Sequence, residues 1–342
     1  MKNLLYILTI VALFVGCTRE TTSTYERFMF RTDGADIAVE VNGNMASKTF
    51  VLLLHGGPGG GGLAYNSGYY SEQLEKDFAI VYMDQRGNGS STGNYDKESL
   101  TIAQNSKDVY QLVMLLKAKY GSDISLFLAG HSWGGLTSCH ALLETPLQDE
   151  IKGWIEIDGA HDFVRNDIEA VKLFLVLAEE ELTANRNADF WSEVKERVEQ
   201  IDTNNINDDD RGYLNSKGFE AEAKLDIYNP DTSGNNEGNY GLKSPDLSLS
   251  GYVANQFINP ILNEDSQKLP LTSRLSEIEV PCLFLWGKYD LVVPPALGED
   301  AYNRVNTADK KLVVYEHSGH SPMVNEPGAF VNEVKNFIDQ YK

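Results

Sequence analysis

The sequence predicts an α/β fold: a mostly parallel central sheet with helices on both faces, interrupted by an inserted helical cap. Three observations carry this. Short apolar strands separated by enough chain for crossover helices alternate from 49 to 157. The alternation stops after Gly159 and returns at Pro281. A chain of 342 residues, 42% hydrophobic and 23% charged, matches one large packed core or two smaller ones and no disordered, collagen-like or coiled-coil class.

In chain order, residues 1–16 read as an export signal: Lys2, an apolar run from Leu4 to Val15, then Gly16 before Cys17. The run falls short of the about 20 apolar residues a membrane-spanning helix needs. A small residue directly before a cysteine resembles a bacterial lipoprotein signal, with Phe14 where that pattern usually has leucine, which makes Cys17 the expected lipid attachment point. Residues 17–24 are polar and aperiodic, as a tether should be. From Tyr25 to Val41 two β-rich runs flank the turn signal Asp33-Gly34, which predicts a hairpin.

Strands are then expected at 49–54, 79–83, 124–128 and 154–157. Val109, Leu112, Val113 and Leu116 recur at helical spacing within 101–120, and Gly121 is a natural stop. The core divides as 25–160 and 271–342, with 161–270 as the inserted cap. Within the cap, helices are expected at 163–182 and 188–200, followed by loop-rich stretches at 204–210 and 229–236. The strand–helix pattern resumes with 281–286, a helix near 296–306, a strand at 311–315 and a closing helix at 327–341.

The 29 Lys and Arg against 50 Asp and Glu leave a net charge of −21, a surface that repels nucleic acid and anionic lipid headgroups. Residues 161–270 hold 22 Asp and Glu against 10 Lys and Arg, so the cap carries much of the excess. Three cysteines make no disulfide framework, and no Cys/His spacing fits zinc; Cys139 and Cys282 read as buried thiols. No metal or cofactor is expected.

Gly130-His131-Ser132-Trp133-Gly134 falls where an apolar strand gives way to a helical pattern, the context a G-x-S-x-G nucleophile elbow requires. A serine hydroxyl needs a base to take its proton and a third group to orient that base. His320, in a loop after a strand, and Asp290, after the preceding strand, supply both. His317 remains an alternative base and Asp158 an alternative acid. Two backbone N–H groups must hold the developing oxyanion: Trp133, next to the serine, and Gly57 in the loop His55-Gly56-Gly57-Pro58-Gly59, where Pro58 has no donor. His55, Asp84 and Arg86 read as structural hydrogen-bonding residues.

His55-Gly56-Gly57-Pro58-Gly59, Asp84-Gln85-Arg86-Gly87-Asn88-Gly89, the elbow, Asp290 and Gly319-His320 together resemble the α/β-hydrolase superfamily, and within it the proline iminopeptidase-like (prolyl aminopeptidase) serine hydrolases. The resemblance implies an α/β-hydrolase fold, Ser132, Asp290 and His320 as catalytic triad, Gly57 and Trp133 as oxyanion hole, and a helical cap over the site. His131 stands where iminopeptidases usually carry glycine, and the cap residues that hold a substrate's free amine have no match. An aminopeptidase acting on small peptides is expected first. A small-molecule esterase or amidase with the same triad is the alternative, and a non-catalytic binding lipoprotein a remote one. Glu179, Glu180, Glu181 and Glu193 are candidates for meeting a substrate ammonium, and Phe190, Trp191, Tyr213, Tyr228 and Tyr252 for lining an apolar pocket. The expected location is outside the cytoplasm, with membrane contact only through Cys17.

Overall fold

The strands are apolar at consecutive positions because the sheet is covered on both sides. In β3 (Thr49–Leu54), Phe50, Leu52 and Leu54 enter one buried cluster while Val51 and Leu53 enter another on the opposite face. The computed structural model describes residues 24–225 and 257–342. The signal segment, Cys17, the 229–236 loop, Tyr228 and Tyr252 lie outside the described residues.

The N-terminal hairpin pairs β1 (Thr24–Thr32) with β2 (Ala35–Gly43). Its two turn residues, Asp33 and Gly34, have φ of 41° and 79°, the left-handed pair that a tight hairpin turn demands. After β3 come α1 (Gly68–Glu75), β4 (Ala79–Met83), α2 (Ile102–Tyr120), β5 (Ser125–His131), α3 (Trp133–Glu144) and β6 (Gly153–Ile157). Among the described residues, four α-helices follow before the sheet resumes: α4 (Phe163–Thr183), α5 (Ala188–Val198), α6 (Asp208–Glu222) and α7 (Asn259–Ser266). The chain closes with β7 (Cys282–Gly287), α8 (Pro295–Arg304), β8 (Lys310–Tyr315) and α9 (Pro327–Tyr341).

The strand order is β1-β2-β4-β3-β5-β6-β7-β8, parallel from β4 to β8 and antiparallel where β1 and β2 join, with the short Thr92–Gly93 strand pairing to β2. From β3 the chain moves outward to β4 and then returns to β5 on β3's other side. The two crossovers diverge there: α1 packs with the Val51 face, and α2 and α3 with the Phe50 face. A crevice therefore opens beyond the carboxyl ends of β3 and β5, the place where open α/β sheets hold their ligands. The loops at those two ends are 55–62 and Ser132.

Residues 204–207 form the loop the composition suggests, but 208–210 already belong to a helix. Asn207 caps α6 by accepting from the Asp210 amide, and Asp208, Asp209 and Asp210 fill the first turn. A run of Asn and Asp that reads as a loop is here an N-cap with an acidic first turn facing the positive end of the helix dipole. Cys139 and Cys282 are buried free thiols. Among the described residues, no helix is long and apolar enough to cross a membrane.

Candidate active site

β5 ends at His131 and α3 begins at Trp133, so Ser132 alone makes the turn between them, at φ 54° and ψ −118°. That conformation is strained for a residue with a side chain and holds Ser132 just beyond the carboxyl end of the central strand β5. Its neighbours leave no room for a bulkier elbow. A Cβ on Gly134 would lie 2.2 Å from the Leu54 carbonyl oxygen. The Ser132 amide donates to Ile157 O, and its carbonyl accepts from Gly135 and Ala160.

His320 and Asp290 come together from the loops after β8 and β7: the His320 ring Nδ1 bonds Asp290 Oδ2 at 2.8 Å, both side chains buried. Asp290 Oδ1 accepts from the amides of Val292 and Val293, so the carboxylate is fixed before it meets the imidazole. Burial pushes His320 below the usual histidine range, against the opposing charges of Asp158 and Glu222. The ring is thereby kept neutral. His317 is exposed, its amide turned to Glu326, and does not enter the cluster. Asp158 does: its Oδ1 accepts from Gly287 N at 2.9 Å, and burial with the Asp290 charge pushes its carboxyl well above the usual range.

The glycine loop is pinned from below by the Asp84–Asn88 turn. Gln85 N donates to His55 Nε2, Gln85 Nε2 donates to His55 O, and Asn88 Oδ1 accepts from Gly59 N. Asp84 accepts from Leu63 N and Ser90 N. Arg86 makes a two-pronged, fully buried pair with Asp108 at 2.8 Å on both arms. His55, Asp84 and Arg86 are therefore occupied in holding loops. Gly56 packs directly on the elbow, since a Cβ there would sit 3.1 Å from Ser132 Cβ.

A family model described as the alpha/beta hydrolase fold matches residues 49–327. The chain belongs to the α/β hydrolases. A probable aminopeptidase of Bacillus subtilis is 28% identical to this hydrolase over 85% of the chain and 89% of its own length. A proline iminopeptidase of Saccharolobus solfataricus is 25% identical, covering 91% of each. Solved structures agree in fold: an esterase from Exiguobacterium antarcticum has a TM-score of 0.58 at 19% identity, covering 91% of this chain and 98% of its own. A proline iminopeptidase-related protein from Thermus thermophilus reaches 0.56 at 18% identity, covering 93% and 98%.

Over the Asp290–His320 pair of this hydrolase lies the end of α6. Glu222 Oε1 accepts from Leu291 N at 2.9 Å and Oε2 from His320 N at 3.0 Å, tying one helix to both loops that carry Asp290 and His320. One turn earlier, Phe219 stands exposed with its ring edge-on to His320, centroids 5.7 Å apart. Neither residue stands out in the sequence, because the helix that carries them reads as loop at its start. Of the four acidic residues expected to meet a substrate ammonium, two are paired and two are exposed. Glu179 pairs with Lys195 and Glu181 with Arg186, while Glu180 and Glu193 are exposed. Trp191 is fully buried among Phe174, Val194 and Leu214, with Phe190 edge-on to it, so it packs the helical layer and lines no pocket.

Among the described residues, one group of potential metal ligands gathers: atoms of His131, Asp158 and His320 lie within 4.8 Å of one another. Both ring nitrogens of His131 and Nδ1 of His320 already have protein partners. The donor set is a hydrogen-bond network rather than an open coordination shell.

Proposed function

We propose that this α/β hydrolase is a serine hydrolase acting through an acyl-enzyme, and that its substrates are small peptides from which it releases N-terminal residues. The observations that carry the chemistry are the buried His320–Asp290 pair and Ser132 on a strained strand-to-helix turn, next to His131, whose ring bonds the His320 carbonyl. Ser132 Oγ bonds to the substrate carbonyl carbon as its proton moves to His320; Asp290 orients the ring and stabilises its charged form. The N–H groups of Gly57 and Trp133 receive the oxyanion, Trp133 with the added field of the α3 N-terminus. The tetrahedral adduct collapses as the bond to the leaving nitrogen breaks, and His320 delivers the proton to it. Water then repeats the sequence against the acyl-enzyme, with His320 again as base.

The peptide reading draws on the full-length likeness to relatives named aminopeptidase and proline iminopeptidase. A second reading, ester hydrolysis by the same groups, is favoured by one observation. The single cap carboxylate that reaches His320 among the described residues, Glu222, already gives both oxygens to backbone amides, and beside it stands an apolar ring, Phe219. In this proposal Cys17 carries a lipid anchor and the domain acts outside the cytoplasm.

The deciding experiment compares prolyl and alanyl arylamides with a p-nitrophenyl short-chain ester on the fragment 18–342. Higher kcat/KM on free-amine arylamides, lost on blocking the amine, is the expected outcome. Turnover of the ester alone transfers the assignment to an esterase. Ser132→Ala should lower kcat by about ten-thousand-fold or more on whichever substrate is cleaved.

A further inference from the structure

We propose that Tyr65 and His131 are positioning residues that lock the oxyanion loop to the loop carrying His320. The inference rests on the serine-hydrolase reading above and concerns the one elbow residue that reading leaves without a task.

The hydrogen bonds admit one direction. The His320 carbonyl oxygen, 2.9 Å from His131 Nε2, can only accept, so Nε2 carries the hydrogen. His131 is neutral, held far down by burial and by His320, to about 3, so Nδ1 is an acceptor. It lies 2.6 Å from the Tyr65 hydroxyl, which must therefore donate. The Tyr65 oxygen in turn accepts from Gly56 N–H at 2.9 Å. The chain Gly56 N–H to Tyr65, Tyr65 to His131, His131 to His320 O is complete with no misplaced proton.

The chain ends on the peptide next to the one that carries the oxyanion donor. The Gly56 carbonyl accepts from His55 Nδ1 at 2.7 Å, and His55 Nδ1 must be the protonated nitrogen because its Nε2 accepts from Gln85 N. Tyr65 holds the His55–Gly56 peptide through Gly56 N, and His55 holds the Gly56–Gly57 peptide through Gly56 O, so the two planes that meet at Gly56 are both held. In a trans peptide the Gly57 N–H points opposite to the Gly56 carbonyl, so these two bonds aim the oxyanion donor. A Cβ on Gly56 would meet Tyr65 Oη at 3.0 Å, Ser132 Cβ at 3.1 Å and His131 Nδ1 at 3.2 Å. The relay, the nucleophile and the donor loop thus converge on one residue without a side chain. Glycine at 131 would leave Tyr65 and the His320 carbonyl unconnected.

Preorganised donors act in the transition state and not on substrate binding. Tyr65→Phe keeps the ring and removes one oxygen. It should lower kcat by about tenfold or more, leave KM within about twofold, and slow fluorophosphonate labelling of Ser132 by the same factor as kcat. His131→Gln, whose amide can reproduce a donor near Nε2, should retain more kcat than His131→Ala. Circular dichroism and thermal melting run on each variant separate loss of fold from loss of aim. A Tyr65→Phe enzyme with wild-type kcat and labelling rate overturns the proposal, as does a loss confined to KM. If the wild-type enzyme itself resists the probe, the serine-hydrolase reading fails and the relay falls with it; a labelled wild type with an unaffected Tyr65→Phe removes the relay alone.

Discussion

A general base must be neutral in the free enzyme, so the pH at which His320 gains its proton sets the acid limb of kcat/KM. The unperturbed value for histidine is about 6.5. In this site burial pulls His320 below that range, and the groups facing it are Asp290 at Nδ1, Asp158, Glu222 at its amide and the neutral ring of His131, with centroids 5.0 Å apart. Two of the three carboxyls press the other way without reversing the direction. The acid limb should therefore have its midpoint below about 6.5, and a kcat/KM profile falling already above pH 7 would contradict it. The chain order Ser132, Asp290, His320, each on a loop after a strand, puts His320 ahead of His317 and Asp290 ahead of Asp158 in the sequence, but gives no physical reason for Asp290 over Asp158. Both are buried at strand ends. Only the structure shows Asp290 accepting from Val292 N, Val293 N and His320, while Asp158 turns to Gly287 N.

At the scale of elements, α6 is the piece that periodicity failed to find and the piece that touches the site. Its apolar positions are few, and Gly212 and Gly218 break the pattern, so the helix depends on its Asn207 cap and on packing. Leu214 and Ala221 enter the same buried cluster as Phe174 of α4, Trp191 of α5 and Leu291 beside Asp290. The carboxylate of Glu222 then fastens this layer to the sheet. Gly319 is required by that approach, since a Cβ there would lie 2.2 Å from Glu222 Oε2. Glu222→Ala strands two amide donors, at about 1–3 kcal/mol for each one left buried and unpaired. A lower melting temperature is expected. Glu222→Gln is the sharper variant, because it keeps the shape but places an NH2 against one of the two donors and removes a charge that favours protonated His320. It should lower kcat and move the acid limb of kcat/KM further down. An unshifted limb with unchanged kcat would make Glu222 a packing residue only.

For the whole molecule, the sheet was readable because its strands are buried on both faces and so appear as unbroken apolar runs at 49–54, 79–83 and 282–286. The helical layer between β6 and β7 was readable only where its helices are amphipathic, as α4 and α5 are; α6 and α7 rely on caps and neighbours. What the sequence alone states without structure is the field. A net charge of −21, with 22 acidic against 10 basic residues in 161–270, gives the protein a negative long-range potential that concentrates cations near its surface. A peptide substrate approaches with a protonated amine, and a p-nitrophenyl ester approaches uncharged. Salt shortens the Debye length from about 10 Å at 0.1 M to about 3 Å at 1 M, and so weakens only the first attraction. Raising ionic strength over that interval should cut kcat/KM for free-amine arylamides several-fold, chiefly through KM, while the ester rate changes little. Equal salt sensitivity for both substrates would mean that the acidic surface keeps the protein soluble but does not select what enters.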